Sequence, residues 1–194
     1  MNREIDLVKL QFQESIELKR RVQVQFPGQI IEIAKILSQC LKRGKKIFFC
    51  GNGGSAADAQ HLAAELVVRL KKNSRRRALA AIALSTNASV LTACSNDFGF
   101  EQIFARQIEA FGQNGDCLVA ISTSGKSPNV NLACQVAKKK GLKVISLLGS
   151  GGGTQARLSE YKIIVPSSDT PRIQEVHITI GHIICDLIER RLFK

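Results

Sequence analysis

Apolar positions along the chain follow two different periods. In the first 45 residues they recur at helical spacing: Ile5, Val8, Phe12 and Ile16 form one stripe, while Leu7, Leu10 and Leu18 lie off it. Pro27-Gly28 interrupts the pattern, Ile30, Ile33, Leu37 and Leu41 restart it, and Gly44 ends it. A helix that is apolar on more than one side must bury more than one side. In a chain this short, that predicts packing against another subunit. After Gly44 the period changes. The runs at 45–50 (KKIFFC), 78–84 (ALAAIAL), 117–122 (CLVAIS), 143–148 (KVISLL) and 162–166 (KIIVP) are short and nearly all apolar. Strands buried on both faces of a parallel sheet read this way. Helical patterns at 55–70, 89–112 and 127–139 alternate with them, and a final helix over about 171–193 is apolar almost all round, which predicts a central position. The fold class is α/β, an open parallel sheet with helices on both faces, preceded by N-terminal helices. No linker, repeat or low-complexity segment divides it.

Length and composition agree with this reading. At ~150 residues per domain, 194 residues predict one domain. A 44% hydrophobic content excludes a disordered chain. No run approaches ~18 consecutive apolar residues, so no spanning helix is expected, and Met1-Asn-Arg-Glu-Ile-Asp lacks the apolar core of a secretory signal. The six cysteines, at 40, 50, 94, 117, 134 and 185, form no CxxC pair. They read as small buried hydrophobes in a reducing cytoplasm. The net charge is +12, and residues 69–77 (RLKKNSRRR) hold six basic residues in nine. Two readings of that stretch stand side by side: a solvated surface, or a field for anionic substrates or nucleic acid. With no Trp, one Tyr and no nucleic-acid motif, the chain offers little for stacking bases.

Three features carry candidate chemistry. The first is Gly51-Asn52-Gly53-Gly54-Ser55, placed after the first buried strand where open parallel sheets bind ligands. Its glycines allow close backbone approach, and Ser55 is expected to cap the following helix. It lacks the G-x-G-x-x-G and GK[ST] spacings, so neither a dinucleotide fingerprint nor a Walker loop is present; a plain tight turn is the alternative. The second is Ser122-Thr123-Ser124-Gly125-Lys126-Ser127-Pro128. Ser127 fits an N-cap with Pro128 at the first helical position, and the hydroxyls surround a helix N-terminus suited to phosphate. The third is the set of histidines, 61, 177 and 182. His61 and Glu65 share a helical face, and Gln174 and His182 lie eight apart, ~80° around a helix. This set reads either as metal ligands of a type that suits zinc or as satisfied core histidines. Glu65 and His182 also have the types needed for the acid–base steps of an aldose–ketose isomerisation, and Asn96-Asp97 for holding sugar hydroxyls or simply making a turn.

The stretches 50–66 (CGNGGSAADAQHLAAEL), 95–110 (SNDFGFEQIFARQIEA), 121–130 (ISTSGKSPNV) and 172–189 (RIQEVHITIGHIICDLIE) resemble the sugar isomerase (SIS) domain family and, within it, the phosphoheptose isomerases. The resemblance spans nearly the whole chain. It implies a single SIS domain over 1–194, with residues 1–44 a helical region used in assembling a homotetramer. It implies interconversion of sedoheptulose 7-phosphate and D-glycero-D-manno-heptose 7-phosphate through an enediol, the opening step towards heptose for lipopolysaccharide or surface polysaccharide. It places one zinc ion on His61, Glu65, Gln174 and His182. Substrate contacts fall on Asn52, Gly53, Gly54, Ser55, Glu65, Asn96, Asp97, Ser122, Thr123, Ser124, Ser127 and Gln174, with Glu65 and His182 catalytic. Lys126 departs from the family's usual Asn. The alternative is a non-catalytic relative that binds the replication initiator DnaA; such relatives lack the full acid–base and metal set, whereas Glu65 and His182 are both present here. A sugar-phosphate-sensing regulator would need a DNA-binding domain that the first 45 residues do not supply.

Overall fold

The structure is a computed structural model that describes residues 3–72 and 75–193. Two helices lead, α1 (Arg3–Gln25) and α2 (Pro27–Lys42), with Pro27 at the first position of the second. Proline belongs there because its missing N–H would have no partner in a first turn. Strands and helices then alternate: β1 (Ile47–Cys50), α3 (Gly54–Val67), β2 (Ala81–Ala83), α4 (Ala88–Phe98), α5 (Ala105–Phe111), β3 (Cys117–Ser122), α6 (Pro128–Lys139), β4 (Lys143–Leu148), the short α7 (Gln155–Leu158), β5 (Tyr161–Ile164) and α8 (Thr170–Leu192).

The five strands are all parallel, in the order β2-β1-β3-β4-β5. Phe49 sits opposite Ala83 on one side and Val119 on the other. Alternate residues serve two separate cores. Ile47, Phe49, Val119, Ile121, Ile145 and Leu147 pack on α2, α3 and α8 through Ile33, Leu37, Leu62, Leu66 and Ile180. Phe48, Cys50, Leu118, Ala120 and Val144 pack on the other side against Ile103, Phe104, Ile108, Val130 and Ala133. Both faces are covered, which is why the strands are continuous apolar runs rather than alternating ones. All six cysteines are free and buried.

One predicted element divides. The helical pattern over 89–112 becomes α4, a 3-10 turn at Phe100–Gln102, and α5. Gly99 adopts φ +94°, which stops α4 and redirects the chain so that Ile103 and Phe104 enter the core.

The chain steps outward from β1 to β2 and returns across β1 to β3, so the order reverses between β1 and β3. In open parallel sheets the carboxyl ends of the strands at such a reversal are where ligands bind. The opposite ends of the same two strands are pinned by Asp116, whose side chain is fully buried. Its Oδ1 accepts the Lys46 N–H at 3.0 Å, its Oδ2 accepts the Gln113 N–H at 2.9 Å, and the Lys46 ammonium lies 2.9 Å from Oδ2. Helix α1 is tied to α8 by Ser15 donating to Glu175 at 2.6 Å and Arg172 donating to the Gln11 carbonyl at 2.6 Å. Only Leu18 and Val22 of α1 are buried; Ile5, Leu7, Val8, Leu10 and Phe12 are exposed.

Asp116→Ala removes the partner of the half-buried Lys46 ammonium and of the Lys46 and Gln113 N–H groups. It is expected to lower unfolding stability by about 2 kcal/mol, read from urea denaturation.

Candidate functional site

The loop after β1 turns without help from a side chain. Gly53 is the N-cap of α3, at φ +53°, and no side chain caps the helix. The Asn52 carbonyl accepts the Ser55 N–H at 3.0 Å, and the Gly53 carbonyl accepts the Ala56 N–H at 3.0 Å. Ser55 is therefore inside the first turn and buried, not the cap that its position in the sequence suggests. Asn52 and Asn129 exchange side-chain amide hydrogen bonds of 2.9 and 2.8 Å. Because Asn129 is in the first turn of α6, this pair joins the two loops that flank the reversal point of the sheet.

The second loop presents its hydroxyls around the amino end of α6. Ser127 is the N-cap and Pro128 follows, as expected, but the Ser127 hydroxyl makes no capping bond. It lies 3.4 Å from the Ser122 hydroxyl, which accepts the Gly125 N–H at 3.1 Å. Ser124 accepts the Lys126 N–H at 3.2 Å, and Lys126 itself is exposed. Thr123 is half-buried beside them. A helix N-terminus ringed by hydroxyls attracts an oxyanion through its partial positive charge and supplies donors without a fixed counter-charge.

The histidine arithmetic resolves cleanly. His61 and Glu65 lie one turn apart on α3, with Nε2 and Oε1 3.3 Å apart. His182 of α8 brings its Nε2 to 2.8 Å from that of His61, the rings edge to face with centroids 4.9 Å apart. One ligand atom from each of His61, Glu65 and His182 falls within 4.8 Å of the other two. The second carboxylate oxygen of Glu65 is buried with no hydrogen-bond partner. Two imidazole nitrogens and a carboxylate suit zinc, and ligand atoms at ~2.1 Å around a tetrahedral ion stand about 3.4 Å apart, against 3.3 Å for His61–Glu65 and 2.8 Å for His61–His182 here. The donor set and the orphaned oxygen fit such an ion.

Gln174, in the first turn of α8, lies against the first loop. Gly54 has no side chain, and the Gln174 amide fills that space: a Cβ at position 54 would sit 2.6 Å from its Nε2. The structure thus links the Gly51–Gly54 loop to α6 through Asn129 and to α8 through Gln174. Asn96 and Asp97 stand differently. They end α4, are exposed, and hydrogen-bond each other at 2.8 Å. Among the described residues no hydrogen bond joins them to either loop.

Two titratable groups near the site lie outside the sequence-based set or apart from its chemistry. Asp58 is on the α3 face of His61 and Glu65, three residues before His61. Burial pushes its carboxyl up to about 6, against the pull of His61, and its Oδ2 has no partner. The i−3 spacing to His61 was the available signal. His177 is fully buried, with Nε2 3.0 Å from the Leu148 carbonyl and Nδ1 unpartnered. It is the core histidine of the three. Burial lowers its pKa to about 4, with the Leu148 contact opposing.

The chain is similar to known proteins over almost its whole length. The sequence profile described as "SIS domain" matches residues 11–149. A phosphoheptose isomerase from Clostridium acetobutylicum is 49% identical over 97% of this chain and 96% of its own length. The solved phosphoheptose isomerase of Neisseria gonorrhoeae superposes with a TM-score of 0.90 at 42% identity, covering 95% of this chain and 98% of that one. The Francisella tularensis phosphoheptose isomerase gives 0.92 at 36%, covering 96% and 98%.

His177 is neutral in the folded chain until well below the pH at which it charges in the unfolded chain. The stability this contributes is complete above about pH 6.5 and is lost as pH falls towards 4. At pH 5.5 the loss is about 1 kcal/mol. Urea midpoints at pH 7.5 and 5.5 are expected to show this difference, and His177→Asn is expected to reduce it.

Proposed function

The chain belongs to the SIS domain family and, within it, to the phosphoheptose isomerases, and we propose that it interconverts sedoheptulose 7-phosphate and D-glycero-D-manno-heptose 7-phosphate. The observation that carries this reading is the convergence of His61, Glu65 and His182 beside a loop that is hydrogen-bonded to the hydroxyl-rich start of α6.

Ser122, Thr123, Ser124 and Ser127 take the phosphate at the amino end of α6. Asn52, Gly53, Gly54 and Gln174 border the sugar, Ser55 supports that loop from within the first turn, and Asn96 and Asp97 supply polar contacts to the substrate from α4. Glu65 removes a proton from C1 of the ketose while His182 delivers one to the C2 carbonyl oxygen, giving an enediol. Glu65 then returns a proton to C2, and the C1 hydroxyl gives its proton to His182, leaving an aldehyde. The formula and oxidation state of the sugar are unchanged overall, so no co-reactant is needed. The partner-free oxygen of Glu65 is free for proton transfer while the other faces His61.

Zinc is the ion we place on His61, Glu65, Gln174 and His182; when bound, it supplies a Lewis acid beside the reacting oxygens. Conversion to an aldoheptose phosphate would open heptose synthesis for lipopolysaccharide or surface polysaccharide. Six free cysteines favour a cytoplasmic setting. No helix among the described residues is long and apolar enough to cross a membrane. The uncovered apolar stripe of α1 supports assembly, which we take to be a homotetramer using the 1–44 region. The presence of both acid–base residues favours catalysis over the DnaA-binding alternative.

Glu65→Gln and His182→Asn are each expected to lower kcat by about 100-fold or more without unfolding the chain, measured as aldoheptose phosphate formed. Chelation is expected to abolish turnover and zinc to restore it; turnover indifferent to thorough metal removal removes zinc from the account. Sedimentation is expected to report four chains, and Phe12→Asp to lower that number.

A further inference from the structure

The basic stretch at 69–77 sends one residue inward. The Arg76 side chain is 1% exposed. Its Nε donates to Glu189 Oε1 at 2.6 Å, its Nη2 donates to the Glu65 carbonyl at 2.7 Å, and its Nη1 donates to the Arg77 carbonyl at 3.0 Å. Glu189, 9% exposed, also accepts the Leu70 N–H at 3.0 Å. The Phe193 ring lies 5.9 Å from the guanidinium carbon.

This arrangement does more than neutralise a buried charge. Helix α3 ends at Val67, so its last four carbonyls have no partner from a continuing helix. The Val68 N–H takes the Ala64 carbonyl and the Leu79 N–H takes that of Leu66. Arg76 takes the carbonyl of Glu65, the residue whose carboxylate faces His61. Glu189 lies seven residues, about two turns, beyond His182 on the same side of α8. One ion pair therefore fastens the end of α3 to α8 just past the point where their functional side chains meet. Beside the first of these points Leu62 of α3 is seated on Gly181 of α8, where a Cβ would fall 2.5 Å from a Leu62 methyl. Buried ion pairs are weak sources of stability compared with apolar side chains of similar size. A guanidinium fork is suited to fixing two acceptors in one geometry.

We propose that Arg76 and Glu189 are positioning residues that set the α3–α8 register at which Glu65, His61 and His182 converge. The inference rests on the functional reading of that same site. It assigns the inward part of the basic stretch to the site's geometry rather than to an anionic partner.

Two variants test it. Arg76→Lys keeps a positive charge opposite Glu189, but an ammonium lacks the rigid fork that spans the carboxylate and the Glu65 carbonyl together. The pair Arg76→Met with Glu189→Leu replaces the whole bridge by apolar packing. Each is measured for thermal midpoint, zinc affinity by competition with a chelator, kcat and KM. The expected result is a thermal midpoint close to that of the unaltered protein in at least one variant. In that variant zinc affinity is expected to fall about 10-fold or more, kcat about 10-fold, and KM to stay within about twofold. A folded variant with unchanged zinc affinity and unchanged kcat overturns the proposal. An unaltered protein that binds zinc but has no isomerase activity overturns the functional reading instead, because the competition experiment does not use the sugar.

Discussion

The site depends on how closely α3 can approach α8. His61 and His182 are 121 positions apart in the chain, and their ring nitrogens meet at 2.8 Å where α3 packs directly on α8. Gly181 permits this by leaving room for Leu62. The contact belongs to the core on one side of the sheet, where Leu62, Leu66, Ile180 and Ile184 are buried together. Packing in that core thus fixes the separation of the candidate acid and base. The energy that holds them is mainly the apolar burial of their helices rather than the polar groups themselves.

The sheet supplies the other half of the geometry. Parallel strands point all their carboxyl ends the same way, so the loops after β1 and β3 lie at the same edge of the sheet. The paired Asn52 and Asn129 amides hold those loops together without adding charge. On the proposed reading, the hydroxyls and helix N-terminus of α6 would hold the phosphate by contacts that do not change during proton transfer, leaving the transfer to Glu65 and His182.

Much of this was legible in the sequence, for identifiable reasons. The strand at 117–122 and the strand at 143–148 have the bounds that their apolar runs suggest, because both faces of the sheet are buried. His61 and Glu65 were readable as a pair because a helical period places them on one face. Their meeting with His182 was not a matter of period: it required the close packing at Gly181, and here the family resemblance anticipated it. Other features depended on long-range contacts. Gly99 breaks the helix over 89–112 because Ile103 and Phe104 have to reach the core. Ser55 yields the cap to Gly53 because the backbone alone closes that turn. Arg76 reads as one more surface cation until its partner on α8 is known. The α1 stripe was read as a surface needing cover, and within one chain it has none.

The central claim is that proton transfer at the carbon beside the carbonyl, by groups on α3 and α8, performs the isomerisation. Running the reaction from the ketoheptose phosphate in heavy water tests it most directly. The account predicts an aldoheptose phosphate that carries deuterium at C2, detected by mass spectrometry or by loss of the C2 proton signal. Conversion with no deuterium at C2 even after the two sugars have interconverted many times over, or no conversion by folded, zinc-supplied protein, would contradict it.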